Sequence, residues 1–168
     1  MRGALQRWTN VGKKWNVPVL VGEFGAVNAV PNATDYLRAH FDALDALGIG
    51  GTEWEYSVAK ELWNGEDLSL VAADGKENPL AKAILRPFPR AVAGNGVVFS
   101  YQAGTQAMEL RFTPASSGVT EIAIPERAYP SGYAVKITGG CVDRSIAGTL
   151  LVQADAGAGS VEVKVAAR

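Results

Sequence analysis

Glu23 stands near the end of an apolar run, VPVLVGEFG, that covers residues 17 to 25. On a strand, Val19, Val21 and Glu23 share one face and Leu20, Gly22 and Phe24 the other, so the carboxylate continues an apolar face to the strand's C-terminal end. In parallel α/β folds that end is where ligands bind, and in closed barrels it carries the reacting groups. Spacing alone leaves two readings level: a reacting carboxylate, or one arm of an ion pair at a strand end.

A second stretch, GTEWEYS, follows about thirty residues later. Strand alternation puts Thr52, Trp54 and Tyr56 on one face and Glu53 and Glu55 on the other. A tryptophan in the same pocket as a carboxylate suits a sugar, whose apolar ring face stacks on an aromatic. Taken alone, a tryptophan there is more commonly core. Glu53 and Glu55, out of phase with Trp54, read as members of structural ion pairs. Trp63 and Asn64, with Glu66 and Asp67, lie on the loop after this strand, as groove-lining residues or as loop anchors.

Other chemistry is sparse. The one cysteine, Cys141, excludes an intrachain disulfide framework and any cysteine-rich metal site, and reads as a small buried strand residue. The one histidine, His40, has no second histidine or CxxC near it and reads as structural or surface. No metal site and no cofactor are expected. Sixteen Lys and Arg against seventeen Asp and Glu leave a net charge of −1 without long like-charged blocks, which argues against a nucleic-acid partner or a polybasic membrane module. No segment approaches the roughly 20 continuous apolar residues of a membrane span. The stretch MRGALQRWTNVGKKWN has neither the apolar core nor the cleavage site of a signal peptide.

The elements that must position these residues follow from periodicity. Residues 4 to 15 carry Leu5, Trp8, Val11 (or Gly12) and Trp15 at helical spacing. Val17 to Gly22 reads as a strand buried on both faces, because crossover helices leave a parallel strand neither face to water. Thr34 reads as the N-cap of a helix whose stripe is Leu37, Phe41, Leu44 and Leu47 (or Gly48), with Gly48 as its C-terminal cap. Ile49 to Ser57 reads as a second, parallel strand, and 78 to 85 as a short helix. RPFPRAVAGNG then breaks the pattern. Beyond it, segments 97–102, 106–113, 119–124, 132–138, 149–154 and 160–166 are β-rich, at the spacing of a small antiparallel sandwich. The fold class expected is thus α/β plus all-β, with domains over residues 1–87 and 88–168.

VPVLVGEFG, GTEWEYS, ELWNGEDLSLV and RPFPRAVAG together resemble the C-terminal part of glycoside hydrolase family 5, the cellulase-like (β/α)8 barrels, and within it most of all the endoglycoceramidases. The resemblance implies that residues 1–87 run from helix six to helix eight of a TIM barrel, with strands 7 and 8, and that a C-terminal β-sandwich follows. It implies Glu23 as catalytic nucleophile, Trp54 as the aromatic beside the scissile sugar, and a glycosphingolipid or other β-glycoside as substrate. Such enzymes are retaining, with two carboxylates about 5 to 5.5 Å apart. It also implies a secreted or extracellular location.

The family's acid/base glutamate follows an asparagine, and no Asn-Glu pair occurs in these 168 residues. A barrel takes around 250 residues, about three times the segment before Pro87. These residues are therefore expected to be a C-terminal fragment, inactive alone, whose partner is the N-terminal barrel half. The alternatives are a non-catalytic glycan- or lipid-binding sandwich attached to a barrel remnant, and a remnant without activity.

Overall fold

The computed structural model describes residues 1–57 and 65–168 and divides into two compact units, Met1–Ile84 and Leu85–Arg168. In the first, α1 (Arg2–Trp15) precedes β1 (Leu20–Phe24), α2 (Ala33–Leu47) and β2 (Gly50–Glu53), and the short α3 (Ala81–Ile84) closes it. β1 and β2 pair in parallel, with Leu20 opposite Gly50 and Phe24 opposite Glu53, and α2 is the crossover between them.

Both helices stop where the backbone turns left-handed. Asn16 ends α1 at φ 53°, with Lys13 and Lys14 in the last turn, where cations favour the helix dipole. Gly48 ends α2 at φ 62° and donates its N–H to the carbonyls of Leu44 and Asp45, a position where a side chain would be strained. At the other end of α2 the cap is Asn32, without a side-chain hydrogen bond, and not Thr34. The helix starts a turn residue earlier than the threonine, so Thr34 already lies inside it. Leu37, Leu44, Phe24, Ala33 and Leu70 form the core of this unit.

The strand expected at Val17 to Gly22 forms three residues later, and it is not covered on both faces. Leu20 is 70% exposed and Val17 51%. Two parallel strands with one crossover helix bury only the side that α2 covers. Trp8 and Trp15 of α1 are also exposed, and with Val11, Val17 and Leu20 they line an apolar groove of about 450 Å³ between α1 and β1.

The second unit is a sandwich of two four-stranded antiparallel sheets. One has the order β4 (Gly94–Gln102), β5 (Ala107–Pro114), β10 (Val161–Ala167), β7 (Tyr133–Thr138). The other has β3 (Phe88–Ala91), β6 (Thr120–Ala123), β9 (Thr149–Ala154), β8 (Gly140–Asp143). Their inward residues meet in one core that includes Leu110, Phe112, Ile122, Leu150, Val161 and Val163. Alternation explains why: in β10, Val161, Val163 and Val165 are buried while Glu162 and Lys164 face out beside Glu109 and Arg111. Cys141 is exposed on β8 rather than buried, because that four-residue strand lies at a sheet edge.

Candidate functional site

The C-terminal ends of β1 and β2 lie side by side, and the residues that could do chemistry are at those ends. Glu23 is the penultimate residue of β1 and is exposed; Phe24, after it, is buried in the core. Trp54 follows β2 directly and is half-buried. Strand alternation does not carry on through Tyr56, since β2 ends at Glu53.

Three contacts hold this rim. Thr52 Oγ1 donates to the Gly22 carbonyl at 2.7 Å, and the Trp54 N–H donates to the Phe24 carbonyl at 2.7 Å. Gly25 passes so close to Trp54 that a Cβ there would lie 2.2 Å from the Trp54 carbonyl oxygen. The strand ends are thus locked to each other by backbone and by the absence of a side chain.

A second layer fixes the loops. Asn28 Nδ2 donates to the carbonyls of Asp67 and Ser69, both at 2.8 Å, and its backbone N–H donates to Asp67 again at 2.9 Å. Leu70 N–H donates to the Glu55 carbonyl at 2.7 Å, and the Ser69 hydroxyl to that of Ser57. Asn28 therefore ties the loop after β1 to the segment that returns from β2. Trp63 and Asn64 lie outside the described residues.

Glu53 departs from its expected ion-pair role: among the described residues its buried Oε1 meets no donor. Burial, and then the negative charge of Glu55, push its carboxyl up from 4.5 to about 7. A carboxyl raised on folding binds its proton more tightly in the folded state, so stability falls as pH rises from 4.5 to about 7. Glu53→Gln should remove that slope and, allowing for partial solvent screening, stabilise the first unit above pH 7 by about 1–2 kcal/mol. Melting curves at pH 5 and pH 8 check this, and an equal shift at both pH values would contradict it.

Sequence reasoning named Glu23 and Trp54 and missed Gly25 and Asn28, whose partners lie across the fold. Four aromatics of the sandwich are core, Phe99, Tyr101, Phe112 and Tyr129, each at most 9% exposed, while Tyr133 is partly buried and Phe88 is exposed. Among the described residues no cluster of three His, Cys, Asp or Glu side chains could hold a metal ion, and no helix is long and apolar enough to cross a membrane.

Comparison with known proteins gives a consistent picture. Residues 86–165 match the glycoside hydrolase family 5 C-terminal domain. Over 162 residues the chain is 27% identical to endoglycoceramidase I of Rhodococcus hoagii (strain 103S), covering 94% of this chain and 30% of that protein. Endo-glycoceramidase II from Rhodococcus sp., in its cellobiose-like imidazole complex, superposes with a TM-score of 0.74 at 27% identity, covering 95% of this chain and 35% of that one. The ganglioside GM3 complex of the same enzyme gives 0.71 at 28% identity, with 90% and 32% covered. Sterylglucosidase 1 of Cryptococcus neoformans shares the fold, with a TM-score of 0.84 at 19% identity over 99% of this chain and 31% of that one. The chain thus spans about a third of the length of these relatives.

Proposed function

We propose, from the premise that this chain is similar to the C-terminal part of a glycoside hydrolase family 5 enzyme of the endoglycoceramidase kind, that Glu23 is the nucleophile of a retaining β-glycosidase. β1 and β2 are then the seventh and eighth strands of a (β/α)8 barrel, and residues 88–168 its C-terminal sandwich. The observation that carries the reading is the position of Glu23 and Trp54 at the adjacent C-terminal ends of two parallel strands.

The bond cleaved is the one between the oligosaccharide and ceramide of a glycosphingolipid. The Glu23 carboxylate attacks the anomeric carbon as the bond from that carbon to the ceramide oxygen breaks, and a second carboxylic acid protonates the departing alkoxide. Water, deprotonated by the same second group, then hydrolyses the glycosyl ester and frees Glu23. Trp54 presents its ring to the apolar face of the sugar beside the broken bond. Ordered loops matter here, because a small misplacement of either partner is costly.

The second carboxylate comes from outside these 168 residues. The open edge of β1 and the groove lined by Trp8, Trp15, Val17 and Leu20 are where the remainder of the barrel packs. The purified chain is therefore expected to show no turnover of a glycosphingolipid or an aryl β-glycoside, and to gain it when co-expressed with the N-terminal part of a relative. Turnover by the chain alone, lost in Glu23→Gln, would overturn the incomplete-site reading. Failure of every complementing half to restore activity would count against the hydrolase reading.

A further inference from the structure

His40, the only histidine of the chain, is turned inward from α2 and is 7% exposed. Its ring lies flat on that of Phe24, with centroids 3.9 Å apart and planes within 6°. Phe41 meets the same Phe24 ring edge-on at 5.2 Å, and Tyr36 sits tilted against His40 at 6.0 Å. Among the described residues, neither Nδ1 nor Nε2 of the imidazole has a hydrogen-bond partner.

Phe24 connects this stack to the candidate site. It follows Glu23 directly, and its carbonyl accepts the Trp54 N–H. Whatever fixes the Phe24 ring also fixes the strand end that presents Glu23 and the backbone that presents Trp54.

The stack suits a neutral imidazole. A cationic ring needs acceptors for two N–H groups, and the described residues of this pocket supply none. The face of Phe24 would attract a cation, but that gain is small beside the lost hydration of a buried charge. The charged and titratable surroundings give no relief. At the N-cap of α1 stands the α-amino cation of Met1, which opposes protonation. β1 offers the Phe24 ring, α2 offers Tyr36, and the Asp35–Arg38 pair of α2 is exposed. α3 adds Ala81 and Ala83 to the core around Phe24. Burial, and then the Met1 cation, hold the imidazole below its ordinary 6.5.

We propose that His40 is a pH-sensitive positioning residue, whose neutral imidazole clamps Phe24 and with it the end of β1, and whose protonation releases that end. Its meaning for catalysis rests on the reading of Glu23 as nucleophile, but the clamp itself is a property of the first unit and is tested without turnover. A histidine lowered on folding leaves the unfolded state the better proton binder below 6.5. Stability is full above 6.5 and is lost as pH falls from there to the folded value.

The experiment uses the whole 168-residue chain, in which a lone histidine gives one self-assigning imidazole signal. All four tryptophans, Trp8, Trp15, Trp54 and Trp63, fall in the first unit, so tryptophan fluorescence follows its unfolding. The imidazole is expected to titrate below 6.5, with the amide signals of Glu23 to Gly25 moving at the same midpoint. For each tenfold weakening of proton binding on folding, the folded-to-unfolded ratio should drop tenfold on acidification, read as about 5–11 °C in Tm. His40→Phe keeps an aromatic stack and should lose both the amide titration and that part of the acid sensitivity; opposite-sign titration of Glu53 cancels in the comparison. An imidazole that titrates at 6.5 or above, amides of Glu23 to Gly25 that ignore it, or an unchanged pH dependence in His40→Phe would each overturn the clamp. None of these outcomes depends on activity, so the clamp and the hydrolase reading fail separately.

Discussion

Glu23→Gln, in the chain complemented by an N-terminal half, is expected to lose at least about 10³-fold in kcat/KM on an aryl β-glycoside, as removal of an essential reacting group does elsewhere. The argument is chemical. The amide matches the carboxylate in shape, yet it is a poor nucleophile and cannot form the glycosyl ester through which a retaining enzyme works. Structure isolates the effect, because Glu23 is exposed while its neighbour Phe24 carries the packing. The substitution should therefore leave the melting transition within about 0.5 kcal/mol of the parent, as surface changes do. A retained rate at unchanged stability would remove Glu23 from the reaction. A lost rate accompanied by a lost fold would show only that the strand end had been damaged, which is why both quantities are measured together.

Much of the architecture was readable from periodicity, and the exceptions have physical causes. Every β-strand of the sandwich with a neighbour on both sides, β5, β6, β9 and β10, lies within or overlaps an expected segment. The two that were not expected, β3 and β8, are the edges of one sheet. An edge strand can be short and can hold a proline, since one side of its backbone needs no partner, and β3 contains Pro89 within a stretch otherwise read as a break. β8 is four residues long and begins at Gly140, too little for alternation to register. The burial of β1 was misread for a different reason. An all-apolar strand signals two covered faces, but cover must come from other elements, and here α2 supplies it on one side only.

The site divides in the same way. Glu23 and Trp54 could be singled out as candidates because each sits in a local motif at a strand end. Asn28 was not, because its hydrogen bonds reach 39 and 41 residues away, to Asp67 and Ser69, and an asparagine in a loop looks the same whether it clamps a distant loop or faces water. His40 was read as a structural or surface residue; its stack on Phe24 and its unmet nitrogens depend on how α2 crosses β1, which no spacing along the chain encodes.

Gly25→Ala should be the most damaging single methyl added at the rim. The new Cβ would lie 2.2 Å from the Trp54 carbonyl oxygen, well inside any tolerable contact. A flexible side chain could step aside, but this is backbone, and it is pinned by the Trp54 N–H to Phe24 carbonyl bond at 2.7 Å. Relief therefore requires β1 and β2 to part at the end that carries Glu23. Overpacking of this kind costs about 1–3 kcal/mol. The effect on catalysis should exceed the effect on stability, since displacing a positioning group by about 1 Å can cost about 10²-fold in rate. Gly22→Ala is the matched control: it lies three residues earlier on the same strand segment, its Cβ would meet nothing within 4 Å, and it should leave both the rate and the tryptophan-monitored melting nearly unchanged. If Gly25→Ala behaved like Gly22→Ala, the Trp54 carbonyl would have to move freely, and the close approach of β1 to Trp54 could not be what sets the spacing of the candidate site.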